Sequence, residues 1–231
     1  MRAAPGDVVR SLIFYPVFYF GSIFYVVAAA LLLAAGSPRF RRAVVEWSHY
    51  HRLCAELILR ITVVIEGDAP RGGYFYAIKH ESFFEAIDLP WLLPEPVVFA
   101  KAGLMAIPLW GYAANSFGVV GVERQAGASA LRAMLTAARR LTANGRPLAI
   151  FPEGTRVIHG SEVPLQAGFA GLYKLIAMPV IPVAVNSGPL YHRLWKRRGT
   201  ITLRFGEPIP AGLPRDRVEA QVHAAINALN A

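Results

Sequence analysis

The hydrophobic pattern changes character twice along the chain. Residues 11–38 contain no Asp, Glu, Lys, Arg or His. Their apolar runs, residues 12–20 and 23–35, are together long enough to span a hydrocarbon layer about 30 Å thick. Pro16 and Gly21 allow a bent or re-entrant piece instead. Arg2 and Arg10 flank one end, and Arg39, Arg41 and Arg42 the other, so positive charge specifies the orientation only weakly. A cleavable signal is the competing reading, because Ala34-Ala35-Gly36 passes for a cleavage region. Against it, the apolar run exceeds a usual signal core and aromatics crowd its first half. Residues 40–60 then interleave Val44, Val45, Trp47, Leu53, Leu57, Ile58 and Leu59 with charged positions. That spacing predicts an amphipathic helix, lying on a membrane surface or packed on the domain.

From Ile61 the pattern becomes short apolar runs separated by turns and helices. Strands are predicted at residues 61–65, 74–78, 97–101, 117–122, 147–151 and 180–185. Residues 200–205 alternate and predict an edge strand. Helices are predicted at residues 86–93, 128–143, 168–177 and 214–229, with Asn144-Gly145 stopping the second. Strands alternating with helices indicate an α/β domain over residues 61–231, with a mixed, largely parallel central sheet flanked by helices. Residues 1–60 precede it as a membrane-associated helical segment.

Composition sharpens this picture in two places. The chain is 55% apolar and 17% charged, which is oily for a soluble protein, and the excess is local to the N-terminus. The net charge of +9 is uneven: residues 1–116 hold 10 Lys/Arg against 9 Asp/Glu, and residues 117–231 hold 14 against 6. A basic half favours anionic partners, namely lipid headgroups, phosphorylated substrates or nucleic acid. Nucleic acid is set aside, because no aromatic-basic motif of a known binding module is present. The basic run Arg193-Leu194-Trp195-Lys196-Arg197-Arg198 reads either as a solvated loop or as a contact to anionic lipid or an acidic carrier protein. The single cysteine, Cys54, supports neither a disulfide framework nor a cysteine-rich metal site.

Four clusters near strand ends carry candidate chemistry. His80 and Glu85 sit where a strand-like run gives way to a helix-like one. Five residues rotate a regular helix about 500°, so the two side chains meet only if His80 precedes the helix and Glu85 lies in its first turn. A neutral imidazole held by a carboxylate is a general base. Gly121-Val122-Glu123-Arg124 ends a strand in a cation. Phe151-Pro152-Glu153-Gly154-Thr155-Arg156 runs from a strand into a turn shaped by Pro152 and Gly154. Arg156 there, with Arg124 and Lys101, predicts a convergent cationic site for a phosphate; a surface ion pair between Glu153 and Arg156 is the bland alternative. The fourth cluster is residues 180–186 around Pro182.

Together, in this order and spacing, the clusters resemble the motif set of the glycerolipid acyltransferase superfamily, typified by 1-acyl-sn-glycerol-3-phosphate acyltransferases. His80 to Glu85 is similar to its His-x4-Asp motif. The hexapeptide from Phe151 to Arg156 matches its Phe-Pro-Glu-Gly-Thr-Arg motif at every position. The resemblance covers roughly residues 40–210. It implies acyl transfer from a thioester, on coenzyme A or acyl carrier protein, to the free hydroxyl of lysophosphatidic acid. His80 would be the base and Glu85 its orienter, while Lys101, Arg124, Glu153, Gly154, Thr155 and Arg156 would bind the acceptor. No metal or cofactor is implied, and the partners are a lysophospholipid, the thioester carrier and membrane lipids. It also implies a location at the cell inner membrane with the site facing the cytoplasm. No covalent acyl-enzyme is expected, since no serine has a Gly-x-Ser-x-Gly context. Another lyso-lipid, such as lyso-ornithine lipid, is an alternative acceptor; a non-catalytic lipid-binding protein of the same fold is the alternative of another class. Two positions depart from the pattern. Glu85 stands where Asp is usual, with Asp88 as a rival orienter, and Gln166 stands where a basic residue is common.

Overall fold

A computed structural model describes residues 4–70, 72–123 and 127–230. The apolar N-terminus forms one unbroken helix, α1 (Pro5–Ala34), in spite of Pro16. Gly21 serves a close approach there rather than a break. An added Cβ would lie 2.2 Å from the Tyr50 hydroxyl on α2 (Arg39–Leu57). Tyr50 donates to the Val17 carbonyl, and Trp47 Nε1 donates to Ser22 Oγ at 2.9 Å. Gly21→Ala therefore gains about 1 kcal/mol of helix propensity but forces two helices apart, at roughly 1–3 kcal/mol for overpacking. The expected outcome is a lower melting temperature, with a smaller loss when Gly21→Ala is made in a Tyr50→Ala background.

The opposite face of α1 is apolar and bare: Leu12, Phe20, Phe24 and Leu31 are all exposed. The helix is long and apolar enough to cross a membrane, which suggests membrane association.

The remaining chain builds a seven-stranded sheet in the order β1 (Ile61–Glu66), β7 (Gly199–Phe205), β6 (Val180–Val185), β2 (Phe75–Ile78), β5 (Leu148–Ile150), β3 (Val97–Lys101) and β4 (Val119–Val122). All neighbours are parallel except β6 and β7. The mixed, largely parallel sheet is thus as the alternation of elements predicts. The edge position expected for residues 200–205 is corrected: β7 lies between β1 and β6. Its alternation reports a sheet face left partly open, since Ile201, Leu203 and Phe205 are buried while Arg204 pairs with Glu66 on the other side.

The pleat of β2 splits the core in two. Tyr76 and Ile78 face a cluster that includes Phe14, Phe18, Cys54, Ala55 and Phe84. Phe75 and Ala77 face one with Met134, Phe169 and Val222, under α5 (Gly127–Thr142), α6 (Ala167–Ile176) and α8 (Arg215–Ile226). The first cluster joins residues on both sides of position 60, so the N-terminal helices share the core of the α/β domain. The strand expected at residues 117–122 is shorter. Its first residue closes a helix, α4 (Trp110–Phe117), which follows a 3-10 turn at Ala102–Ala106.

Candidate active site

Three adjacent parallel strands, β6, β2 and β5, deliver the chemistry at their carboxyl ends, where ligands of α/β sheets sit. From β2 comes Lys79-His80; from β5 the hexapeptide; from β6 Asn186-Ser187. The chain then turns into α3 (Phe84–Leu92), with Glu85 in its first turn. His80 precedes the helix, so the two side chains meet: His80 Nδ1 lies 3.0 Å from Glu85 Oε1.

The Glu85 carboxylate is fully buried and densely bonded. Oε1 accepts the backbone N–H groups of Glu81 and Ser82, both at 2.6 Å. Oε2 accepts the hydroxyls of Ser82 at 3.0 Å and Ser187 at 2.6 Å. Burial pushes the Glu85 pKa up, but the His80 imidazole, the Ser187 hydroxyl and the Ser82 N–H outweigh it and hold the carboxyl below its usual range. An ionised carboxylate only accepts, so the proton of a neutral His80 sits on Nδ1 and the Nε2 lone pair is left for a substrate. The rival Asp88 is occupied elsewhere, gripped by both Nε and Nη2 of Arg52 on α2.

The hexapeptide fixes His80 from beneath. Glu153 Oε2 accepts the His80 backbone N–H at 3.0 Å, and the His80 carbonyl accepts the Val157 N–H at 2.7 Å. The imidazole stacks on Phe151, with ring centroids 4.1 Å apart. Gly154 adopts φ 71° with its N–H on the Phe151 carbonyl, closing the turn. Gln166, at the position where a basic residue was the usual expectation, packs its Cγ across Gly154.

Glu153, expected to contact the acceptor, is bonded inside the protein. Its side chain is fully buried, and Oε1 receives the ammonium of Lys79 at 2.7 Å. Lys79, buried and unremarked in the sequence, also donates to Asn227 Oδ1 at 2.6 Å and to the Ser161 carbonyl at 3.2 Å. Glu153 thereby supports the His80 backbone, with Oε1 on Lys79 and Oε2 on the His80 N–H. Ser187 was likewise missed; the only signal was its place just after the strand that carries the fourth motif.

Arg156 and Thr155 are exposed beside His80, with Arg156 Cζ 4.2 Å over the Phe83 ring. Together with Lys101, these three residues line a cavity of about 600 Å³ that runs under α1 and α2. Its remaining walls are apolar, among them Val26, Val44, Trp47, Leu89 and Ala114. Arg124 lies outside the described residues. Among the described residues, no group of three or more His, Cys, Asp and Glu is placed to hold a metal ion.

Comparison with known proteins follows the same lines. A family model described as Acyltransferase matches residues 60–186. The 1-acyl-sn-glycerol-3-phosphate acyltransferase of Limnanthes douglasii is 30% identical over 66% of this chain and 53% of its own length. A Pseudomonas aeruginosa protein of that name is 24% identical over 88% of this chain and 81% of its own. The human beta form is 29% identical over 65% of this chain and 56% of its own. The chain thus spans about half the length of its plant and human relatives. The crystal structure of the 1-acyl-sn-glycerophosphate (LPA) acyltransferase PlsC from Thermotoga maritima superposes with a TM-score of 0.74. It is 23% identical and covers 97% of this chain and 98% of its own, which shows the same fold. With the family model spanning more than half of its length, the chain belongs to the acyltransferase family.

Proposed function

We propose that the protein transfers a fatty acyl group from a thioester to the free hydroxyl of 1-acyl-sn-glycerol 3-phosphate, giving phosphatidic acid. The observation that carries this reading is a carboxylate-held imidazole at the wall of an apolar cavity, flanked by an exposed guanidinium. The names of the relatives agree with it. His80 Nε2 takes the proton of the acceptor hydroxyl as its oxygen attacks the thioester carbonyl carbon. The tetrahedral intermediate collapses with loss of the thiolate, which recovers the proton from Nε2. The hydroxyl is itself the nucleophile, so nothing is bonded covalently to the protein. Glu85 stabilises the imidazolium formed in between. The apolar cavity suits the hydrocarbon of one substrate, and Arg156 suits the acceptor phosphate.

The bare face of α1 lies in lipid under this proposal, at the inner membrane with the site turned to the cytoplasm, where soluble thioesters arrive. Coenzyme A and acyl carrier protein are both candidate carriers, each anionic, and the exposed Arg193 and Arg198 suit either. Acyl-transfer assays on the purified protein, offering a panel of lysolipids with both thioester types, test the reading. Turnover of lysophosphatidic acid is the expected result; silence across the panel returns the chain to a lipid-binding role. Arg156→Ala should raise the KM for the acceptor about tenfold and leave kcat nearly unchanged, since a hydrogen bond to a charged group contributes roughly 1.5–3 kcal/mol. An unchanged KM would remove Arg156 from the phosphate site.

A further inference from the structure

Two apolar cavities of nearly equal size meet at the catalytic corner. The first, about 600 Å³, has His80 on its wall. The second, about 610 Å³, is a groove along α1, bounded by Tyr19, Ile23 and Val27 on that helix and by Pro108 and Leu109 opposite. Phe83, Ile87, Trp47, Val26, Ile107 and Trp110 contribute to both linings, so the two share a wall. Phe83 stands at the polar end of that partition, three residues after His80, with Arg156 laid on its ring.

The groove has a single cationic side chain, Lys196, and its charge is turned inward. Nζ donates to the Tyr191 carbonyl at 2.9 Å and lies 3.7 Å over the Tyr191 ring. Burial lowers the Lys196 pKa to about 8, as expected for an ammonium enclosed by rings. Phe14 and Tyr15 close the same corner. What the groove offers a ligand is therefore hydrocarbon surface, which selects a chain rather than a headgroup.

We propose that this second groove holds the acyl chain already carried by the lysolipid acceptor, while the first cavity holds the chain being transferred. The inference rests on the acyltransferase reading above. Its chemistry demands two chain sites that converge on one proton-abstracting nitrogen, because the product carries both chains on adjacent carbons of one glycerol. The two cavities share Phe83, three residues after His80, which itself lines the first. The allocation follows from position. The groove lies along α1, whose outward residues Phe20 and Phe24 are exposed and apolar, so an acceptor leaving a bilayer reaches it first. The cavity that contains His80 is left for the chain attached to the reacting carbonyl.

Ile23 and Val27 border the groove and not the first cavity, so they separate the two sites. Ile23→Trp should raise the KM for oleoyl lysophosphatidate about tenfold, equivalent to displacing roughly two methylenes at about 0.8 kcal/mol each. The KM for hexanoyl lysophosphatidate and the preference for donor chain length should stay as in the parent protein. Equal effects on both acceptors, or a shifted donor preference, would overturn the allocation. A second measurement does not need turnover. Lysophosphatidate bearing a diazirine in its chain, irradiated with the His80→Ala protein, should label Tyr19, Ile23, Val27 or Leu109. Labels confined to Val44, Val98 and Val119 of the first cavity would overturn the site. Should the parent protein fail to acylate lysophosphatidate while the labels still fall on α1, the groove stands as a lipid-chain site and the substrate reading falls.

Discussion

His80→Ala should lower kcat by about 10³- to 10⁴-fold, at the upper end of what a positioned general base contributes. The nearby carboxylates are both engaged. Glu85 is enclosed, with hydrogen bonds to both oxygens, and Asp88 is held by Arg52. His51 is buried with Nε2 on the Tyr191 hydroxyl at 2.7 Å, and His159 is engaged through Nδ1 with Glu81 at 2.9 Å. The fold should survive, because the bonds that anchor this corner run through the His80 backbone to Glu153 and Val157, and alanine keeps both. What is lost structurally is the Nδ1 bond to Glu85 and one ring stacked on Phe151, the latter worth roughly 0.5–1.5 kcal/mol beyond its buried area. Steady-state kinetics beside circular dichroism and a melting curve check this. A fall in kcat of less than about tenfold with an intact fold would mean that the acceptor hydroxyl loses its proton without this imidazole.

How much of this was legible depended on range. The corner at residues 78–85 could be read because both partners are close in sequence and one turn of helix fixes their geometry. The hexapeptide was legible as a turn, since Gly154 is needed for its positive φ. Neither pattern shows that β2 and β5 are neighbours, and that adjacency alone puts Phe151 under the imidazole and Glu153 under its backbone. The inward ties of Glu153 were hidden for a related reason. Next to Arg156 it looks like part of a charged surface turn, but Lys79 draws it inward, and a lysine at a strand end gives no local sign that it will be buried with a glutamate 74 residues away. Ser187 bonds Glu85 across 102 residues, and its place after the fourth motif's strand does not show that contact. Helix α4 was not anticipated from the pattern, and Gly111 lies within it. Gly111 is there for contact: an added Cβ would meet the Met105 carbonyl at 2.1 Å. The groove along α1 was invisible for the same reason as Ser187, since its walls come from segments about 80 residues apart that pattern alone does not bring together.

Glu85→Gln should cost about 10³-fold in kcat, somewhat less than losing the orienting carboxylate of a serine protease triad. The reason is charge more than shape. An amide oxygen placed at the Oε1 position still accepts from the Glu81 and Ser82 N–H groups and from His80 Nδ1, while the amide nitrogen donates to the hydroxyls of Ser82 and Ser187. The correct tautomer is thereby kept and the imidazolium formed on proton abstraction loses its counter-charge. KM for the acceptor should therefore stay nearly constant while kcat falls, the split expected when an interaction matters only in the transition state. Glu85→Asp tests reach instead: the charge remains, but a side chain one methylene shorter draws away from Ser187 and Nδ1, so recovery of activity should be partial. Stability gives an independent readout with a definite sign. The Glu85 pKa is lowered on folding, so its stabilisation is complete above the unfolded carboxylate value of about 4.3 and is lost as pH falls through the folded value. The gap in melting temperature between parent and Glu85→Gln should accordingly be widest near neutrality and close in acid. A gap that widens below about pH 4 would mean that burial, not the five hydrogen bonds, governs this carboxylate.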